Sequence, residues 1–304
     1  MSFRKPSPLR LKRLASWPGV LLLCALLGPA SLNAAPLVAT SIRPLQHVAA
    51  AIMDGVGEVQ LALAPNQDPH HLSLKPSERQ LLEKAGVVLW VGPALELPLE
   101  RLVGQLPGRV LSAQTLAAGE LIAADDDHDH GGVDPHLWLD TRIVAAVATT
   151  LAAELAQQDP GNAARYEENL AAFRDELRRT DASLADILSP LSEHSWAVEH
   201  HAFRYLERQF SLRPALQLRD SDNREAGARS VRRLQQALRE AGLSCIVAEP
   251  QVAAAPLRNL LGDPMLRVAS VDILGHELAP GRGSYSRMML GIAEAIASCA
   301  GATP

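Results

Sequence analysis

The chain contains ten histidines, and three of the places where they fall could do metal chemistry together. "DPHHLSLKPS" (68–77) sets His70 beside His71, "DPHLWLD" (134–140) contains His136, and "SWAVEHH" (195–201) ends in His200 and His201. Asp272 closes "RVASVD" (267–272). A neutral imidazole offers one lone pair to a cation, and three imidazoles with an oxygen or an open fourth position suit zinc. Manganese and iron(II) sites draw on more carboxylate. Each residue alone also has an ordinary structural reading. The His-His pair fits a solvated loop, His136 a turn, His200 a core imidazole satisfied by one hydrogen bond, and Asp272 a helix cap or half of a salt bridge. A three-histidine site with an open position can also activate water, as in a zinc hydrolase. The chain has no HExxH segment, and no acid/base pair is tied to the histidines by spacing.

The elements that must position these residues alternate between apolar runs and helical patterns. Strands are predicted at "PLVAT" (36–40), "VQLALA" (59–64), "GVVLWVG" (86–92) and "RVLSA" (109–113), the third a continuous apolar run of the kind buried in parallel sheets. A helix begins in "LQHVAAAIMDG" and stops at Gly55, Pro76 opens another that runs to Ala85, and Asp140 caps a third from Thr141 to Gln158. A second set of strands falls at "SWAVE" (195–199), "PALQL" (214–218), "CIVAE" (245–249) and "RVASVD", with helices near 202–210, 229–241, 253–261 and 284–298. The fold class is therefore α/β, with two parallel-sheet βα lobes. Between them Tyr166, Leu170, Phe173, Leu177 and Leu184 recur at helical spacing. A helix over 161–188 would be roughly 40 Å long, a rigid connector touching both lobes. The organisation is thus a first lobe over 35–158, a connecting helix over 159–189 and a second lobe over 190–304. Ligands of open α/β sheets bind beyond the carboxyl ends of the strands, where His70, His200 and Asp272 fall, and His136 precedes a helix of the first lobe.

The first 34 residues read differently. Arg4, Lys5, Arg10, Lys12 and Arg13 precede an apolar stretch from Val20 to Leu27 and small residues through Ala34 and Ala35. This is the layout of a secretory signal peptide cut after Ala34, with an apolar core too short to span a bilayer. Its removal leaves 24 Lys and Arg against 34 Asp and Glu, so the formal charge moves from −5 to −10. A chain this acidic is a poor partner for nucleic acid. Export to the periplasm as a soluble protein is expected. Cys24 lies in the signal, and the two remaining cysteines, Cys245 and Cys299, read as one disulfide in an oxidising compartment.

Taken together, "TSIRPL", "HHLSLKPSE", "VVLWVGPALE", an acidic His-bearing loop, "HLWLD", "CIVAEPQ", "SVDILG" and "SYSRMM" resemble, in order, the ZnuA-type zinc-binding proteins of ABC uptake transporters. The resemblance covers nearly all of the chain after residue 34. It implies two lobes bridged by one long helix, with the metal site in the cleft between them. The family's metal-binding histidines fall on His70, His136 and His200, with His71 and His201 as neighbours and Asp272 as the candidate fourth ligand. His128 and His130 in "ADDDHDHGGV" stand for a secondary, low-affinity metal-collecting loop. The resemblance also reinforces the Cys245–Cys299 bridge. The implied protein is a monomer that is not an enzyme. It carries Zn2+ as transported substrate to a membrane permease with its cytoplasmic ATPase. The alternative within the family is a manganese- or iron-binding member, against which an imidazole at position 200 argues. Glu199 stands where an apolar residue is usual and His201 where an aspartate is common. "NREAGARS" lacks the proline often seen before its glycine.

Overall fold

Among the described residues, eight short strands form two separate parallel sheets. In the first, β1 (Val38–Thr40), β2 (Val59–Leu61), β3 (Val87–Trp90) and β4 (Arg109–Ser112) lie in the order β2-β1-β3-β4. In the second, β5 (Ala197–His200), β6 (Leu216–Arg219), β7 (Cys245–Ala248) and β8 (Arg267–Ser270) repeat that order as β6-β5-β7-β8. This computed structural model describes residues 1–2, 35–63, 70, 72–117, 119–123, 132–219 and 227–301. The leader with its cleavage site, His71, His128, His130 and the start of "NREAGARS" lie outside the described residues.

The helices of the first half are α1 (Arg43–Ile52), α2 (Pro76–Lys84), α3 (Pro93–Glu96), α4 (Glu100–Val103), α5 (Ala113–Leu116) and α6 (Thr141–Gln158). Those that follow are α7 (Ala163–Leu188), α8 (Arg204–Phe210), α9 (Ala228–Glu240), α10 (Ala254–Leu261) and α11 (Ser284–Cys299). Their ends follow local chemistry. Pro76 occupies the first turn of α2, where its missing N–H costs nothing, and Glu78 reaches back to accept the Lys75 amide at 2.8 Å. Asp140 caps α6 by accepting the Arg142 amide at 2.9 Å. Gly92, with φ of 140°, turns the chain out of β3 into α3, which the sequence reading did not anticipate.

α7 is the long connector, 26 residues and about 39 Å long. Its buried positions, Tyr166, Asn169, Phe173, Leu177, Thr180, Leu184 and Leu188, recur at steps of three and four and face α6, α11 and α1. The polar members of that stripe bridge the two halves. Asn169 donates to the carbonyls of Ile52 (2.8 Å) and Asp54 (2.9 Å) and accepts from Arg282 (2.7 Å). Thr180 donates to Ser286 of α11 at 2.8 Å. One continuous apolar core runs from Val38 to Cys299 through both sheets, and a smaller one lies under α9 and α10.

Cys245, the first residue of β7, is disulfide-bonded to Cys299, the last of α11, with Cα atoms 5.4 Å apart. Among the described residues no helix is long and apolar enough to cross a membrane. Several strand bounds differ from expectation, two of them with a clear local chemistry. β5 continues through His200, so Glu199 and His200 project to opposite faces. β6 starts at Leu216 rather than Pro214, because proline has no N–H to donate and the Ala215 amide goes to the Glu207 carboxylate at 2.9 Å.

Candidate metal centre

In the second sheet the strand order reverses between β5 and β7, and such switch points open a crevice at the carboxyl ends of the strands. His200 is the last residue of β5, and Glu249 follows the last residue of β7. Oε1 of Glu249 lies 2.8 Å from Nδ1 of His200. Burial raises the Glu249 carboxyl, but the His200 hydrogen bond and charge outweigh it and hold the group below the usual carboxylate range.

His136 arrives from the first half. It sits between Asp134 and the short turn Leu137–Leu139 that leads into α6, and it is completely buried. Oδ1 of Asp134 accepts the His136 amide at 3.0 Å and lies 3.0 Å from its Nδ1. Burial pushes the Asp134 carboxyl up to about 6. It also drives the His136 imidazole well below its ordinary value, with His200 nearby adding to the effect. Nε2 of His136 is buried and hydrogen-bonded to nothing among the described residues.

His70, half-buried, completes the group. One nitrogen from each of His70, His136 and His200 lies within 4.8 Å of the other two. Their ring centroids are 5.4 Å (70 to 136), 5.5 Å (70 to 200) and 4.8 Å (136 to 200) apart. Three imidazole nitrogens that face one another across such a gap can share one tetrahedral ion.

Asp272 is not brought into this group. Its Oδ1 accepts the amides of Leu274 (3.1 Å) and Gly275 (2.8 Å), and its Oδ2 that of Glu277 (3.3 Å), so the carboxylate caps the turn after β8. His201 also points elsewhere, with Nε2 3.3 Å from Oε1 of Glu207 in α8. Glu199, on the far face of β5, forms a 2.8 Å ion pair with Arg219, and burial raises its carboxyl.

Three supporting residues escaped the sequence reading. Asp134 and Glu249 were visible as carboxylates beside a histidine and at a strand end. The tripeptide Asp-Pro-His occurs at both 68–70 and 134–136, so the acid two residues before each histidine was a usable signal. Trp138 had no such signal. Its ring lies 5.2 Å from that of His136, its indole N–H donates to the Ile273 carbonyl at 2.9 Å, and its own carbonyl accepts the Tyr285 hydroxyl at 2.7 Å. It therefore ties the His136 turn to the segment after β8 and to α11. From α8, the Tyr205 hydroxyl donates to the Asp134 carbonyl (2.9 Å) and accepts the Ile122 amide (3.2 Å). Arg204 stands 3.8 Å from Oδ2 of Asp134.

A family model described as ZnuA, zinc-uptake complex component A, periplasmic, matches residues 38–299. The high-affinity zinc uptake system protein ZnuA of Brucella abortus (strain 2308) is 26% identical, over 86% of this chain and 91% of its own. A crystal structure of ZnuA is similar with a TM-score of 0.75 at 27% identity, covering 88% of this chain and 99% of that one. A second, a 138-173 deletion mutant of ZnuA with zinc bound, gives 0.74 at 26% identity, covering 89% and 100%. Proteins of this kind are metal-binding components of uptake systems and not enzymes. The match spans most of the chain, which belongs to the ZnuA family, the periplasmic component A of zinc-uptake complexes.

Proposed function

We propose that this chain captures Zn2+ in the periplasm through His70, His136 and His200 and delivers it to an ABC-transporter permease with a cytoplasmic ATPase. The observation that carries the reading is Nε2 of His136. A buried polar atom without a partner is costly, and an ion held jointly with His70 and His200 would satisfy it. Three neutral imidazoles favour zinc over manganese, which draws on more oxygen. Zinc in the related deletion mutant supports the same choice. Water or a carboxylate would complete the shell, and Asp272 could serve only by releasing the amides of its turn. On this reading residues 1–34 are removed on export, and 35–158 and 190–304 are lobes joined by 159–189. The protein works as a monomer.

The test is metal competition in a buffered zinc series, with manganese as rival, on the parent and on His70→Ala, His71→Ala, His136→Ala and His200→Ala. Circular dichroism checks folding. One tight zinc per chain is expected, lost by orders of magnitude in the variants at 70, 136 and 200 and weakened less at 71. Tight binding that survives all four variants would move the site elsewhere, and a preference for manganese would change the cargo.

A further inference from the structure

The outer side of the second lobe carries a charge arrangement that the metal centre does not use. α9, "ARSVRRLQQALRE", buries Val231, Leu234 and Leu238 in the smaller apolar core beside Leu218, Ile246 and Leu266. At 100° per residue, Arg229, Arg232, Arg233 and Arg239 fall on the opposite side, and all four are exposed. None forms an ion pair with a described residue. The helix has a single acid, Glu240, which accepts a hydrogen bond from Gln236 at 2.7 Å. On other helices several exposed arginines are paired with a carboxylate, as in Arg79–Glu83, Arg165–Glu168 and Arg178–Asp175. The stripe on α9 is thus a local positive field on a chain with an excess of acid.

Apolar side chains flank it. α10 packs along α9, and Gln235 of α9 donates to the Leu260 carbonyl at 3.1 Å. Leu260 is 46% exposed, and Met265, in the turn after α10, is 86% exposed. The adjoining Leu266 anchors that turn in the core under α9.

We propose that the Arg229, Arg232, Arg233 and Arg239 face of α9, with Leu260 and Met265 beside it, docks on an anionic phospholipid bilayer. The occupant is argued from complementarity. Guanidinium groups bind phosphate through paired donors, and clustered basic side chains are drawn to anionic lipid surfaces by charge alone. The four arginines span about 15 Å along one exposed helix face. That suits a flat array of headgroups better than a contoured acidic protein surface. The excess of acid lies in the rest of the chain, so contact through this face would also orient it.

The experiment is co-sedimentation of the purified protein with vesicles of phosphatidylglycerol and phosphatidylethanolamine, against phosphatidylcholine alone, at low and physiological salt. Binding to the anionic vesicles only is expected, weakening as salt shortens the screening length to about 8 Å. Each arginine contributes about fivefold to partitioning. Arg232→Glu with Arg233→Glu should therefore lower it on the order of 25-fold or more, and Arg229→Gln with Arg239→Gln by a similar factor. Zinc affinity and circular dichroism should match the parent in both variants, which separates this proposal from the metal reading. Equal binding to both vesicle types would overturn it, as would retention in the charge-reversed variant. Loss of binding to a permease embedded in phosphatidylcholine, with no vesicle binding by the parent, would assign the stripe to an acidic protein face and overturn it equally.

Discussion

Nδ1 of His136 lies 3.0 Å from Oδ1 of Asp134, two residues earlier in the chain, and neither side chain has any exposed surface. The contact sets the ring's tautomer. With Nδ1–H aimed at the carboxylate, the lone pair sits on Nε2, the buried atom left without a partner among the described residues. Glu249 stands in the same relation to Nδ1 of His200. Carboxylates that hold a ligating imidazole in this way orient the ring and raise its basicity.

Asp134→Asn should therefore weaken zinc binding by about 10- to 100-fold while the fold persists. The carboxamide keeps the shape but can present N–H to Nδ1 and so favour the wrong tautomer. Competition against a chromophoric chelator measures the loss. An unchanged affinity would show that His136 is oriented by Trp138 packing and its own backbone alone.

His47 makes the metal-free protein sensitive to acid. It is fully buried on α1, 3.1 Å from the Gly275 carbonyl, with Nδ1 lacking a partner among the described residues. Burial lowers its pKa to about 4, with Arg43 and Arg287 adding to the effect and the Gly275 carbonyl and Asp272 opposing it. The unfolded imidazole titrates near 6.5, so between about 6.5 and 4 the unfolded state binds more protons and stability falls as pH falls. The loss reaches about 3 kcal/mol at most. Urea unfolding of the apo-protein at several pH values should show this slope, and His47→Gln should flatten it. An identical slope in the variant would assign the acid sensitivity to other groups.

The Cys245–Cys299 bridge closes a separation of 54 residues between β7 and α11. The chain-entropy model gives it about 4 kcal/mol. Cys245→Ser with Cys299→Ser should lower the thermal midpoint markedly yet leave zinc affinity intact where the protein is still folded. Differential scanning calorimetry and metal competition on the same sample separate the two effects. A loss of tight zinc in the folded double variant would mean that the bridge also shapes the metal centre.

Deleting residues 124–131 should spare the one tight site and remove weaker zinc contributed by His128 and His130. The flanks are held independently of that segment, through the Ala123–Val133 bridge and the Tyr205 hydroxyl. Stoichiometric titration of the deletion variant reads both classes of site. Disappearance of the tight class would place a primary ligand in the deleted stretch.

Much of the architecture was legible in the sequence because it rests on local physics. A continuous apolar run such as "GVVLWVG" can only be buried, a proline at the head of α2 and an aspartate before α6 mark helix starts, and a charged helix with one apolar stripe makes α7. Two cysteines after the leader leave one intramolecular pairing. The positions of His70, His136 and His200 relative to strand and helix ends followed from the same patterns, with family resemblance naming their role. The tertiary structure decided which acid meets which imidazole. Glu249 and Asp272 each sit at or just past a strand's carboxyl end, and the sequence reading named only Asp272. The turn after β8 offers Asp272 three amides, whereas the pairing of β5 with β7 brings Glu249 to His200. Likewise His201 turned to Glu207, and Trp138 reached Ile273. These choices depend on strand register and on contacts between residues more than a hundred positions apart, in the case of Trp138. No local spacing encodes such distances, and they exist only once both sheets and α7 are packed.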